Sequence, residues 1–136
     1  MANIPENTHF EDDFSTWDEE HIFAYALRLF KEQEFYSCHD VLEHLWGFGD
    51  LQWRSFYQGL LHLAVSMYHL ERENIRGAAS LLDSGVALLE QYGPVFGGID
   101  LEKLRDDALK IRVQLKRGSY REGTFLKIEK KGAKRE

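Results

Sequence analysis

The stretch SFYQGLLHLAVSMYHL, residues 55–70, contains no Asp, Glu, Lys or Arg. It is shorter than the roughly 20 apolar residues that cross a bilayer, and Gln58, His62 and His69 interrupt it. Wound as a helix, Leu70, Gly59, Phe56, Met67, Ala64 and Leu61 fall on one arc, with Ser55, Gln58, His62, Val65, Ser66 and His69 on the other. A helix that meets water normally carries charge on its outer face. This one does not. Residues 51–72 are therefore predicted to form the longest and most buried helix of an all-α protein, with amides at 56–69 among the slowest to exchange. Its neutral polar side chains need partners, because a buried polar group without one costs about 1–3 kcal/mol.

The nearest upstream source of partners is FYSCHDVLEHLW, residues 35–46. At about 100° per residue, Phe35, Cys38, Leu42, Leu45 and Trp46 share one side. His39 and Glu43 border that side, whereas Asp40 and His44 lie opposite. The expected arrangement joins His39 and Glu43 to Gln58, His62 and His69 of the next helix, with Arg54 close by. Asp40 and His44 are expected to face water and to tolerate alanine. His39 and Glu43 are not.

Helical signals continue in both directions. STWDEEHIFAYALRLFKEQ (15–33) sets Ser15 or Thr16 three residues before Asp18 or Glu19, a capping-box pattern, ahead of Ile22, Phe23, Ala26, Leu29 and Phe30. Gly47 and Gly49 end the second helix, and Asp50 caps the third. Asn74 caps a fourth, IRGAASLLDSGVALLEQYG, stopped at Gly93–Pro94. VFGGID (95–100) reads as a loop, with Asp100 capping a fifth helix, LEKLRDDALKIRVQLKRG. TFLKI (124–128) reads as a short extended piece laid on the bundle, and no strand pattern competes. Shifted by 40 residues, the chain weakly matches itself: Phe35 with Ile75, Cys38 with Ala78, Leu42 with Leu82, Leu45 with Gly85, Ala26 with Ser66. That spacing is similar to tetratricopeptide helix pairs, whose period is about 34. The prediction is a compact bundle of about five helices built from antiparallel hairpins.

The chain has 136 residues, 43% hydrophobic and 29% charged, enough to bury a core without cross-links. One domain is expected, with a helical core over 16–118, an acidic arm at 1–15 and a basic tail at 119–136. The single cysteine, Cys38, leaves no internal disulfide and suits a reducing compartment. On the apolar face it reads as packing, not as a nucleophile. MANIPENTHFEDDF has neither a basic leader nor an apolar run, so no signal peptide is expected and the cytoplasm is the expected location. Net charge is −6, with seven acidic and no basic residues in 1–20, and eight basic and three acidic in 116–136. The tail KIEKKGAKRE has no interleaved aromatics beyond Phe125, and a net negative chain repels phosphates. Nucleic acid and membrane are not expected partners, and the tail reads as a solvated, frayed terminus.

Two segments together resemble a known family. FYSCHDVLEHLW, followed by RSFYQGLLHLAVSMYHL, resembles the paired motif of the uncharacterised helical family called domain of unknown function 309. Its first half is a histidine, an acid, then Glu and Trp at fixed spacing, matched by His39, Asp40, Glu43 and Trp46. Its second half is matched by Gln58, Gly59, Leu60, Leu61, His62, Ala64, Val65 and His69. ENIRGAASLL and GIDLEKL extend the resemblance, which runs from about residue 20 to 115. It implies a small all-helical fold and supplies no catalytic roles.

Two functional readings follow from the residues. In the first, the chain is a non-enzymatic module that binds a protein or small ligand on its surface or in a groove between hairpins. Trp46, Trp53, Tyr57 and Tyr68 fill the core or line such a groove for an aromatic or acyl ligand. Self-association is one partnership such a surface allows. In the second, His39, Glu43 and His62 ligate a divalent metal (zinc, iron or manganese) whose bound water is the nucleophile of a hydrolase. His69 lies roughly 10.5 Å further along the helix axis than His62 and fits that site less well. Against the metal stands a plain hydrogen-bond network, Glu43 with Arg54 or His39, and Gln58 and His62 bridging helices. No HExxH, paired ExxH or Cys-x-x-Cys spacing is present. Ser37 and Ser66 lack a nucleophile context, and GPVFGGID lacks the strand and lysine of a phosphate loop.

Overall fold

In the computed structural model, which describes residues 16–131, the uncharged stretch lies within the central helix. The order is α1 (Glu19–Lys31), α2 (Phe35–Phe48), a 3-10 turn (Leu51–Trp53), α3 (Arg54–Glu71), α4 (Ile75–Glu90), β1 (Val95–Phe96), β2 (Ile99–Asp100) and α5 (Leu101–Arg117). At 18 residues α3 is the longest element, and Phe56, Leu60, Leu63, Ala64 and Met67 on it expose no surface. It packs against α2 on one side and α4 on the other, while α5 covers α4. The fold is an all-α bundle.

The 40-residue recurrence is built into the backbone. Gln33 (φ 62°) and Glu73 (φ 61°) both take the left-handed conformation that ends the first helix of a hairpin. Around them the bonds repeat residue for residue: the amides of Gln33 and Glu34 donate to Phe30 and Leu29 carbonyls, those of Glu73 and Asn74 to Leu70 and His69. The equivalent pairs 26/38 and 66/78 also bond across each hairpin, with donor and acceptor exchanged. Cys38 Sγ donates to the Ala26 carbonyl (3.3 Å), and Ser66 Oγ to the Ala78 carbonyl (2.8 Å). Burial pushes the Cys38 thiol well above its ordinary range, in keeping with a packing residue.

Within the second hairpin α3 and α4 approach closely. A Cβ on Gly59 would lie 2.8 Å from the Leu89 side chain, and one on Gly85 would lie 2.8 Å from Leu63 and 3.1 Å from the Gly59 carbonyl. The first hairpin has Leu45 where the second has Gly85, so the two crossings differ.

Three expectations need correction. Helix α1 is capped by Asp18, whose carboxylate accepts from the His21 amide (3.0 Å), rather than by Thr16; Ser15 lies outside the described residues. Asp18 is better placed because two further acids, Glu19 and Glu20, then occupy the first turn, where the helix dipole favours them. VFGGID is a two-stranded hairpin, Val95 opposite Asp100 and Phe96 opposite Ile99. Gly97 and Gly98 (φ 60° and 72°) supply the two positive φ angles that a two-residue turn requires. The third concerns the tail: TFLKI lies on the bundle as expected, but instead of fraying beyond it the chain stays bonded to Lys131, whose amide donates to the Gly98 carbonyl (2.9 Å). Phe125 meets the Phe35 ring at 5.5 Å, Leu126 is buried and its amide approaches Met67 Sδ (3.3 Å), and Lys130 bridges to Ile99. Its apolar residues at 125, 126 and 128 outweigh the surrounding lysines. Among the described residues, no helix is long and apolar enough to cross a membrane.

Candidate functional site

Helix α2 is turned relative to the expected placement. Val41, absent from the apolar set above, is fully buried together with Phe35, Cys38, Leu42 and Leu45. Including it moves the centre of the buried face by roughly 30°. Glu43 becomes an exposed residue, and Asp40 and His44 become half-buried like His39. The His44 ring stacks on Phe48 at 4.9 Å. The inside/outside split of these four residues was therefore misassigned at three of them.

The polar side chains of α3 turn towards α4 instead of α2. His62 Nδ1 is 2.7 Å from Ser84 Oγ, Ser66 bonds the α4 backbone, and His69 Nδ1 is 3.2 Å from Asn74 Nδ2 at the hairpin turn. Among the described residues the Gln58 side chain makes no hydrogen bond, and Arg54 is exposed, its guanidinium 4.7 Å from the Trp46 ring centre. The predicted cluster does not form, and His39, Glu43 and His62 do not converge as a ligand set among these residues. The reason is the hairpin. Antiparallel α4 follows α3 through a tight turn and takes the polar sector that the sequence reading assigned to α2.

Burial lowers the pKa of His62 below its ordinary value. In the unfolded chain the imidazole titrates near about 6.5, so below that pH the unfolded state binds the proton more readily. The His62 contribution is present above about pH 6.5 and is lost as pH falls through the lower, folded value. Urea midpoints at pH 7 and pH 5 should show it: His62→Gln is expected to flatten the acid-side decline of the parent. Identical slopes would remove His62 from the account.

What the structure does gather on α2 is His39, Asp40 and Glu43, one ligand atom of each within 4.8 Å of the others. Burial raises the Asp40 pKa, and the Glu43 charge adds to this against the opposing pull of His39. The ring of Tyr36 lies 5.7 Å from that of His39 and 5.5 Å from that of Tyr68.

A concavity lies elsewhere, along the outer face of α1. It encloses about 840 Å³ between α1, the 3-10 turn, the β-hairpin turn and the C-terminal segment. Phe23, Leu27, Trp53, Tyr57 and Ile128 supply apolar lining; Glu19, Glu20 and Asp50 mark one end of the α1 face and Arg28 and Lys31 the other. From Glu20 to Lys31 the helix rises roughly 16 Å. Of the four aromatics expected to fill the core or line a groove, Trp53 and Tyr57 border this cleft. Trp46 instead packs under Arg54, and Tyr68 lies between Tyr36 and Arg72.

The acidic end is organised around Glu19. Tyr57 Oη donates to Glu19 Oε2 (2.6 Å), and the Asp50 amide donates to the same carboxylate (3.0 and 3.1 Å). Burial and the Glu19 charge both push the Tyr57 phenol far above its usual value. At the basic end Arg28 lies over the Tyr25 ring (5.1 Å), and its Nε is buried with no acceptor among the described residues. Glu19 stood out only as a helix-cap candidate and Arg28 not at all; Glu19 matters through Asp50 and Tyr57, 31 and 38 residues away.

Comparison with known proteins agrees with the resemblance noted above. A family model described as Domain of unknown function (DUF309) matches residues 23–81. An uncharacterized protein from Bacillus subtilis (strain 168), YpuF, is 28% identical over 67 residues, covering 48% of this chain and 38% of that protein. An uncharacterized protein from Aquifex aeolicus (strain VF5) is 26% identical over 73 residues, 53% of this chain and 22% of that protein. The matched region therefore spans well under half of either relative.

Proposed function

We propose that the chain is a binding module that holds a small amphipathic anion in the cleft along α1. The observation that carries this reading is the pairing of an apolar, partly aromatic lining with the two cations Arg28 and Lys31 at one end of the α1 face. The half-buried guanidinium of Arg28 and the exposed ammonium of Lys31 are charged donors suited to a ligand carboxylate. Phe23, Leu27 and Trp53 would take the apolar body, as pocket walls of this kind commonly do. Glu19 and Glu20 at the other end disfavour a second anionic group and set the ligand's direction. The hydrolase reading through His39, Glu43 and His62 has no comparable support, because those side chains do not converge.

Titration of ¹⁵N-labelled protein with decanoate tests the proposal. Saturable shifts are expected at amides 23–31 and at the Trp53 indole. Ala24 is exposed and lines the cleft, so Ala24→Glu should block binding while folding normally. Arg28→Met should weaken decanoate and leave decanol unaffected. No saturable shift, or shifts indifferent to Ala24→Glu, would refute it.

A further inference from the structure

We propose that His39, Asp40 and Glu43 bind a hydrated first-row divalent cation on the solvent side of α2, a site separate from the α1 cleft. His39 and Glu43 stand one turn apart on the same face of the helix, and Asp40 flanks them. One ligand atom from each lies within 4.8 Å of the other two. The spacing within the group is informative. His39 Nδ1 is 3.2 Å from Asp40 Oδ1, yet Nδ1 is buried and makes no hydrogen bond. Metal–nitrogen and metal–oxygen distances of about 2.0–2.2 Å set adjacent ligand atoms roughly 3.0–3.5 Å apart. The His39–Asp40 contact has the length of one edge of a coordination sphere without the geometry of a hydrogen bond.

The electrostatics point the same way. Asp40 is paired only with His39, and no lysine or arginine pairs with Asp40 or Glu43 among the described residues. Both acids lie well inside α2, beyond the first turn, so neither is held by the free amides of the helix N-terminus. Two carboxylates on one face repel each other, and a cation between them removes that repulsion. An imidazole among the ligands favours zinc or iron over magnesium or calcium, while the two carboxylates also suit manganese. Three ligands from a single helix leave the remaining positions to water, so the ion is exchangeable. The Tyr36 ring lies 5.7 Å from the imidazole of His39.

Metal-stripped, untagged full-length protein titrated with Mn²⁺ under ¹⁵N NMR provides the test. Paramagnetic broadening is expected to centre on amides 36–44, to be reversed by Zn²⁺, and to persist in equimolar Mg²⁺. Glu43 is exposed and Asp40 half-buried, so Glu43→Gln and Asp40→Asn should fold as the parent does. Each should weaken Mn²⁺ binding by about tenfold or more, since loss even of an outer-shell partner costs that much. Broadening confined to the acidic residues Glu11, Asp12 and Asp13, or centred on His62 or His69, would overturn the proposal. So would parental affinity in Glu43→Gln.

Discussion

Gly85→Val is expected to destabilise the protein by on the order of 3 kcal/mol, a large fraction of the stability of a domain this size. A single Cβ at this position already meets Leu63 at 2.8 Å and the Gly59 carbonyl at 3.1 Å. The isopropyl group adds two carbons to a space with no room for one. Leu63 cannot yield, because it is itself fully buried. The two helices must then separate, which loosens packing all along α3. Ala87→Val, two residues on and exposed, supplies the control, expected within about 0.5 kcal/mol of the parent apart from its helix-propensity cost. Equal urea midpoints for the two variants would mean that α3 and α4 do not approach this closely.

Glu19→Ala is expected to be the next most damaging change, at about 2 kcal/mol. It removes a charged acceptor from two donors at once, the buried Tyr57 hydroxyl and the Asp50 amide. Both join α1 to the segment that turns the chain into α3. Glu19→Gln keeps an acceptor oxygen and should recover part of the loss. An alkaline titration gives an independent readout. The folded pKa of Tyr57 lies above the unfolded value of about 10, so its contribution is full below that pH and is lost as pH rises through the folded value. Followed by absorbance near the phenolate band, Tyr57 should ionise well above the ordinary phenol range in the parent and earlier in Glu19→Ala. If the substitution leaves both stability and the titration unchanged, the hub does not exist in solution.

The elements that sequence made legible are those specified by local rules. The charge-free run at 55–70 marked the central helix, Asn74 and Asp100 marked helix starts by capping, and the 40-residue recurrence marked two hairpins. Side-chain partners were less legible because they depend on which neighbour a face meets. The Gln58, His62 and Ser66 sector was visible as a problem of satisfaction, but only the fold reveals that Ser84 and the Ala78 carbonyl on α4 resolve it for two of these residues. On α2, omitting one valine shifted the whole face. Val41 lies between Asp40 and Leu42, and the wheel drawn without it exchanged Glu43 for His44 at the boundary. The Gly-Gly turn at 97–98 was a readable hairpin signal, masked by the helical character of everything around it. The Glu19–Tyr57 bond spans 38 residues, a separation at which no sequence spacing rule applies.

The C-terminal segment bears on how the molecule comes apart. Two successive helical hairpins, each touching only its neighbour, form a nearly linear array, and such arrays unzip from their ends. Here the chain doubles back after α5. Phe125 reaches Phe35 in the first hairpin, Leu126 reaches Met67 in the second, and Lys130 joins the β-hairpin between α4 and α5. A few residues thus connect the start, middle and end of the array. Fraying of α2 then strips contacts from the return segment, and its release exposes α3. The array is closed into a loop of mutual dependence, with the return segment as the clasp, and a single cooperative unfolding transition is the expected result.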